Sequence, residues 1–337
     1  MTKLFVVCNY TTPEVPGTYK RLWIPVYLWR KVPGTWAVIV VLMLALLVLA
    51  GTIARTSAES QGGLPPRAYL PMVTGSGASA CVANSNNSYA SGFASQIDPD
   101  NPVRPAYNHA DKNIELRGYV PNTDPGLQRE LVNYGSDDPT QPPQFATLFS
   151  PYQVPPLSEF YRVRKWNWAP SPNPGTPGSP MTFYAATAVS FDLPTGKALH
   201  TPISGYDIGG GMEVLVLFAD QDTVTLHYTR EDTAALGYTI HIDNICTDQN
   251  LLNLYNSLDN PNGPRYDYPS PSYNLPTLPA GKVFGRTSGQ DMVVAVVDSG
   301  GFLDPRSCNE WWQIRPGYPG SCPPALLPEG LVNLIVN

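Results

Sequence analysis

The chain has 337 residues, 42% of them hydrophobic, which is enough for one or two domains with a real core. Its 37 prolines, 28 glycines and only 14% charged residues also predict long irregular segments. The net charge is −6, and no extended basic run follows the first third of the chain. This balance excludes nucleic acid as a partner, because nucleic-acid recognition begins with a positive footprint.

A transmembrane helix is predicted over residues 35–54, TWAVIVVLMLALLVLAGTIA. The run has no charge and, at about 1.5 Å per residue, spans a hydrocarbon core of about 30 Å. A cleaved signal peptide is the alternative, but its apolar region is shorter and lies nearer the N-terminus. We therefore expect an uncleaved single-pass anchor.

Residues 1–34 form a basic and aromatic leader before this helix. Five lysines and arginines precede the helix, whereas only Arg55 and Arg67 follow shortly after it. The positive-inside rule therefore places the N-terminus in the cytoplasm and the C-terminal domain outside the cell membrane. The leader either lies along the inner membrane face or is disordered. Its predicted membrane-interface residues are Trp23, Tyr27, Trp29, Arg30, Lys31 and Trp36.

Residues 55–180 are predicted to be an extended arm, because they are repeatedly interrupted by proline and glycine. A short helix is expected near 125–134, where Asp124 suits the cap, Pro125 the first turn and Gly135 the end. The segment YRVRKWNWAP at 161–170 alternates like a strand. It either joins a sheet or presents Trp166 and Trp168 to a partner.

Residues 181–305 are predicted to be a β-domain resembling a barrel or sandwich, because short runs of branched and aromatic residues alternate with turn residues. One helix interrupts these runs in CTDQNLLNLYNSLDN, with Asp248 as its cap. Residues 306–337 form a C-terminal tail in which Trp311 and Trp312 are further predicted partner contacts. The predicted fold class is therefore mainly β, with one or two short helices.

Four of the five cysteines fall on the outer side of the predicted helix, where disulfides persist. Three pairings are open. We favour Cys308 with Cys322, which would close a short loop rich in proline and glycine, and Cys81 with Cys246. No pair has the C-x-x-C spacing of a zinc site, and no cofactor is predicted.

Three stretches of the β-domain resemble the successive strands of lysostaphin-type peptidoglycan endopeptidases: GKALHTPISGYDIGGG, VTLHYTREDTAALGYTIHIDNI and LPAGKVFGRTSGQDMVVAVVDSGGFLDP. The resemblance covers about residues 187–305. It implies a β-fold built from a duplicated hybrid motif. It also implies a zinc ion held by a His and an Asp of the first strand and by the second His of a His-x-His pair in the last strand, with water at an open position and the remaining His assisting.

The resemblance implies that at least two of the zinc ligands are lost. Asp192 matches the ligand aspartate, but Ala188 stands where the histidine is expected, and Met292 and Val294 stand at the His-x-His pair or next to it. His227 and His241 are out of phase with the apolar residues of a predicted hairpin, so they point to a face that is either solvated or covered by the proline-rich arm. With Asp192 they are weak candidates for another metal site.

The expectation is a non-catalytic, single-pass membrane protein whose extracytoplasmic β-domain is an accessory or scaffold subunit of a larger membrane complex, of which energy-transducing complexes are the commonest. Its partners would be integral membrane subunits and the lipid bilayer. One alternative is a module that binds peptidoglycan or activates a hydrolase in the cell wall. The other is a zinc endopeptidase with a different ligand set.

Overall fold

The computed structural model describes residues 2–11, 19–28, 85–95, 97, 104–134, 142–258, 272–289, 291–318 and 322–323. The chain divides into two compact units, residues 1–67 and 68–337. The first unit contains an antiparallel hairpin of β1 (Thr2–Thr11) and β2 (Tyr19–Leu28). Trp23 and Tyr27 belong to β2, whereas the other predicted interface residues lie outside the described residues.

No helix within the described residues is long and apolar enough to cross a membrane. The predicted transmembrane helix at 35–54 lies outside them.

The second unit is mainly β, as predicted. Its strands are β3 (Ala90–Ser95), β4 (Tyr119–Pro121), β5 (Leu157–Asn167), β6 (Thr176–Pro180), β7 (Ala188–Phe191), β8 (Ala198–His200), β9 (Val214–Ala219), β10 (Val224–His227), β11 (Tyr238–Asp243), β12 (Ile245–Thr247), β13 (Ser272–Leu278), β14 (Val283–Thr287), β15 (Met292–Asp298) and β16 (Gly301–Leu303).

Eleven of these strands form one antiparallel sheet in the order β3-β13-β9-β10-β11-β15-β7-β5-β4, with β16 beside β15 and β6 beside β5. A three-stranded sheet has the order β12-β14-β8. The end strands β3 and β4 do not pair with each other among the described strands, so the sheet is not a closed barrel. The α-helices of this unit are α1 (Ile114–Arg117), α2 (Gln249–Leu258) and α3 (Cys308–Trp311).

The main core lies on one face of the large sheet. Ile240 pairs with Leu226 on one side and with Val296 on the other, and all three are fully buried. Helix α2 packs here, as its apolar stripe predicts: Leu251 is buried, and the Tyr255 hydroxyl donates to the Leu217 carbonyl at 3.1 Å. Asp248 caps this helix by accepting from the Asn250 N–H at 2.9 Å, so the predicted cap is confirmed.

The predicted boundary between arm and β-domain at residue 180 is wrong. Strand β5 pairs with β7 inside the large sheet, and Phe160 and Val163 are fully buried. The expected sheet position of YRVRKWNWAP is therefore confirmed. Composition misled the prediction because strand β6, with Pro177 and Pro180, pairs only with β5, and an edge strand tolerates proline.

The helix predicted near 125–134 is also wrong. The Asp124 carboxylate accepts the Gly126 N–H at 2.8 Å, and the Leu127 N–H bonds back to the Asp124 carbonyl at 3.1 Å, which makes a turn. The chain then extends, and the Val132 N–H donates to the Arg306 carbonyl at 3.1 Å. The aspartate thus closes a local turn where a helix cap was expected.

The predicted disulfide between Cys308 and Cys322 is confirmed. Cys246 is also disulfide-bonded, and Cys81, its predicted partner, lies outside the described residues. Trp311 and Trp312 are only 1% and 0% exposed, so the prediction that they contact a partner is wrong. They pack against Phe145 in the main core, where α3 docks instead of forming a free tail.

Candidate functional site

The face of the large sheet opposite the main core is polar where β10 and β11 cross it. Thr225 pairs with His241, and His227 pairs with Thr239. Directly opposed residues of antiparallel strands share a face, so these four side chains lie together. All four are at most 1% exposed. We call this group the buried polar face.

Hydrogen bonds connect the members of the buried polar face in pairs. The Thr239 hydroxyl lies 2.8 Å from His227 Nδ1, and the Thr229 hydroxyl lies 2.6 Å from His227 Nε2. Thr225 Oγ1 lies 3.0 Å from His241 Nδ1. Both imidazole rings are therefore fixed by threonine hydroxyls, which can donate or accept a hydrogen bond.

The network assigns the proton of His241. Thr225 donates its one hydroxyl hydrogen to the Lys112 carbonyl at 2.7 Å, so His241 Nδ1 must donate to Thr225 Oγ1. The neutral ring then carries a lone pair on Nε2, which is buried and has no hydrogen-bond partner. The Phe302 ring stacks on this imidazole at 5.9 Å between centroids.

Both histidines are held in the neutral form. Burial lowers the pKa of His227 to about 4. Burial, followed by the positive charge of Arg117, lowers the pKa of His241 to about 3. A neutral imidazole avoids the cost of placing a charge in this dry environment.

Residues 104–121 cover the buried polar face, and we call them the cover segment. Besides the bond from Thr225 to the Lys112 carbonyl, the Lys112 ammonium pairs with Asp232 at 3.5 Å, with both side chains at most 2% exposed. Asp232 also accepts from the Tyr273 hydroxyl at 2.7 Å and from the Ile97 N–H at 2.9 Å. One buried carboxylate thus joins the cover segment to three other parts of the chain.

The middle of the cover segment is helix α1, which begins where the Asn113 side chain accepts the Glu115 N–H at 3.0 Å. Ile114 packs in a second apolar cluster beneath it. Arg117 ends the helix, forms an ion pair with Asp111 and lies 5.2 Å above the Phe302 ring. Aliphatic packing and cation–π contact therefore both hold α1 against the sheet.

The end of the cover segment meets Asp243. The Tyr119 hydroxyl donates to one carboxylate oxygen of Asp243 at 2.8 Å, and the Thr223 hydroxyl donates to the other at 2.9 Å. Burial raises the pKa of Asp243 and also raises that of nearby Glu115, to about 7. Strand β4, which carries Tyr119, is thereby tied to the same face as the histidines.

The positions compared with zinc ligands do not face one site. Side chains alternate along a strand, and Ala188 lies in the second apolar cluster, whereas Met292 and Val294 belong to the main core on the opposite face. The neighbours Val293 and Ala295 are the ones that share the face of Ala188. Met292 and Val294 therefore do not share a face with Ala188.

The weak metal candidates are not brought together either. His227 and His241 are buried side by side, but Asp192 is exposed just beyond the end of β7. Among the described residues, no group of three or more His, Cys, Asp and Glu side chains is arranged to hold a metal ion. The histidines instead contribute to the packing beneath the cover segment, one of the two positions that the sequence left open.

A cavity of about 420 Å³ lies away from the buried polar face. Its lining includes Asn86, Thr247, Asp248 and Arg286. The carboxylate of Asp248 is already engaged, by the Asn87 side chain at 2.7 Å and by the helix cap. This cavity therefore offers no free acid for catalysis.

Trp166 and Trp168 occupy the hairpin of β5 and β6. The Trp166 indole N–H donates to the Pro174 carbonyl at 2.8 Å, so this residue closes the hairpin. Trp168 is 46% exposed. It is therefore the one of the four predicted partner-contact tryptophans with a large exposed surface.

Sequence reasoning missed the charged residues that hold the cover segment, Lys112, Arg117 and Asp232. The proline content of the segment that contains Lys112 and Arg117 predicts an irregular arm, and no periodic pattern marks any of the three residues as buried. The only signal in the sequence was that His227 and His241 alternate with the apolar residues of their strands. They therefore lie on the opposite strand face, which had to be either covered or solvated. No family model, curated protein or solved structure gives a significant match to this chain.

Proposed function

We propose that this protein is a non-catalytic, single-pass membrane protein whose β-domain lies outside the membrane and acts as an accessory or scaffold subunit of a larger membrane complex. The observation that carries the proposal is the cover segment. The sheet face richest in histidine, threonine and carboxylate is occupied by the protein's own chain. A substrate could reach it only after that segment had moved.

Moving the cover segment would be costly. The Lys112–Asp232 pair is buried, and separating two buried charges leaves each without compensation. Each hydrogen bond that fails to find a new partner adds about 1–3 kcal/mol. The face therefore supports a structural role better than a role in substrate binding.

The cysteines support the proposed location. Cys308 is bonded to Cys322, and Cys246 is also disulfide-bonded. Such bonds persist in oxidising compartments and are rare in the cytosol. This agrees with an anchor at 35–54 that leaves the following domain outside the membrane.

The resemblance to lysostaphin-type endopeptidases supports a degenerate peptidase-like domain. Ala188, Val293 and Ala295 have no lone pair to offer a metal, and their shared face includes the residues beneath the cover segment. A peptidoglycan-binding module would require an open groove. The cover segment fills that position, so the accessory role is the better supported of the two.

The proposal is tested by extracting the native membrane in mild detergent and purifying the full chain through a C-terminal tag. Mass spectrometry then quantifies the accompanying proteins, and elemental analysis measures zinc. We expect integral membrane subunits in a fixed ratio to the chain and less than one-tenth of an equivalent of zinc. A lone chain with one equivalent of zinc would point to a peptidase, and wall fragments alone would point to a cell-wall module.

A further inference from the structure

The hairpin of β5 and β6 differs in charge from the rest of the protein. The chain carries a net charge of −6, yet residues 160–191, which follow Glu159 of β5, contain three cationic side chains and no Asp or Glu. Two of the three, Arg162 and Arg164, are half-buried and donate to the Ala185 and Gly178 carbonyls. Lys165, near the end of β5, is exposed. The tip of the hairpin, residues 165–177, therefore carries one exposed cation and no acid in an acidic protein.

An exposed tryptophan, Trp168, is held rigidly just after the end of β5. The Arg104 guanidinium lies 4.7 Å above the Trp168 ring, and the His109 ring contacts the same ring edge to face at 5.0 Å. Arg104 also donates to the Ala169 carbonyl at 3.0 Å. Trp168 is thus fixed in place although almost half of it faces solvent.

The tip of the hairpin is also fixed. Gly175 has φ +105°, and a Cβ at this position would lie 2.4 Å from the Asn167 carbonyl oxygen. Only glycine fits there without displacing the backbone. The tip is therefore a defined surface before any partner arrives.

We propose that this tip, residues 165–177, docks on the anionic phospholipid headgroups of the bilayer in which the chain is anchored. Trp168 would lie at headgroup level, where tryptophan is favoured. Lys165 would lie close to the lipid phosphates, whose negative charges attract its ammonium group. This inference rests on the proposed single-pass anchor and names the partner of the exposed tryptophan.

The composition of the tip favours lipid over a protein surface. Pro170, Pro172, Pro174 and Pro177 have no backbone N–H, so a tip rich in them has fewer donors to leave unsatisfied at the edge of the hydrocarbon.

The test uses the full chain in nanodiscs of phosphatidylcholine alone or of phosphatidylcholine with about one-third phosphatidylglycerol, and measures backbone hydrogen exchange of residues 165–178 by mass spectrometry. We expect slower exchange only in the anionic discs. Lys165→Glu changes two charges at the surface and should lower the docked-to-free ratio by roughly thirtyfold, or about fivefold per charge. Trp168→Ser should also abolish the protection.

The matched controls are Arg286→Glu, an exposed cation beside the cavity at residues 85–87, and Leu236→Ser, an apolar residue that is 46% exposed. Both should keep the lipid-dependent protection. Equal exchange in the two kinds of disc would overturn the proposal. Protection in detergent that increases with protein concentration would also overturn it, because it would indicate self-association. Either result leaves the co-purification test of the accessory role unaffected.

Discussion

The Thr225 hydroxyl donates to the Lys112 carbonyl at 2.7 Å and thereby joins the centre of the large sheet to the segment that covers it. The same hydroxyl oxygen accepts from His241, so one threonine connects the cover segment to a buried imidazole. The fold and the closed state of this face therefore depend on the same contacts.

Removing the buried cation of the cover segment should strongly destabilise the domain. Lys112→Met leaves Asp232 buried without its ion-pair partner, and we expect a loss of about 3–5 kcal/mol in the free energy of unfolding. Urea unfolding of the full chain in mild detergent measures it. Asp232→Asn in the same background should recover part of the loss.

The Arg129–Glu159 pair provides the control. Its atoms are 3.7 Å apart, and its side chains are 51% and 49% exposed. Arg129→Met should therefore cost at most about 1 kcal/mol. Equal losses in the two variants would contradict a buried, structurally important Lys112–Asp232 pair.

The buried histidines should make the domain sensitive to acid. Their pKa values are lowered to about 4 and about 3 in the folded state, so the unfolded chain binds their protons first as the pH falls below about 6.5. Their contribution to stability is present above that pH and is lost towards pH 4. The variant His227→Gln/His241→Gln should lose less stability than the parent between pH 7 and pH 5. Identical losses would show that these rings are not buried in the neutral form.

Glu310 should change the pH dependence of stability in the opposite direction to the histidines, by favouring the folded state at low pH. Burial raises its pKa to about 7, so the folded state keeps a proton that the unfolded state releases near pH 4.5. The resulting stability is present below about pH 4.5 and is lost as the pH rises through 7. Glu310→Gln mimics the protonated form and should be more stable than the parent at pH 8 but not at pH 4.5.

Unfolding midpoints measured across this range test the assignment. Glu130→Gln, at an exposed position, should follow the pH profile of the parent. A Glu310→Gln variant that is less stable than the parent at pH 8 would mean that the charged carboxylate is stabilised by its surroundings.

The C-terminal disulfide should stabilise the packing of helix α3. It closes a loop with a sequence separation of 14, for which the chain-entropy model gives about 3 kcal/mol. Cys308→Ser/Cys322→Ser should lower the free energy of unfolding by about that amount and increase solvent quenching of Trp311 and Trp312 fluorescence. Cys8→Ser, in the other compact unit, should have no such effect. Unchanged stability of the double variant would contradict a structural role for the bond.

The β-rich class and helix α2 were predictable because both depend on local periodicity. Leu251 and Tyr255 recur at helical spacing, and the strand runs alternate with turn residues. The place of β5 was also foreseen from its alternation. What the sequence could not reveal was that residues 104–180 belong to the same domain, because long-range pairing overrides a local excess of proline.

The prediction of the site residues was only partly correct, for a different reason. His227 and His241 were identified by their phase, but their hydrogen-bond partners include the threonines Thr239 and Thr225 of the same two strands. Thr225 in turn donates to the Lys112 carbonyl of the cover segment. Trp311 and Trp312 resembled an exposed pair because the tail around them is rich in proline. Their indole N–H groups donate to the Asp304 and Pro305 carbonyls at 2.9 and 3.0 Å, which allows both rings to be buried.

The central claim is that the buried polar face serves the fold and does not bind a ligand. Hydrogen exchange of β10 and β11 in the full chain, purified from native membranes, tests this most directly when it is compared with and without added peptidoglycan fragments. We predict exchange as slow as that of the main-core strand β9, unchanged by the fragments. Fast exchange at Thr225 and His241, or a change when the fragments are added, would contradict the account.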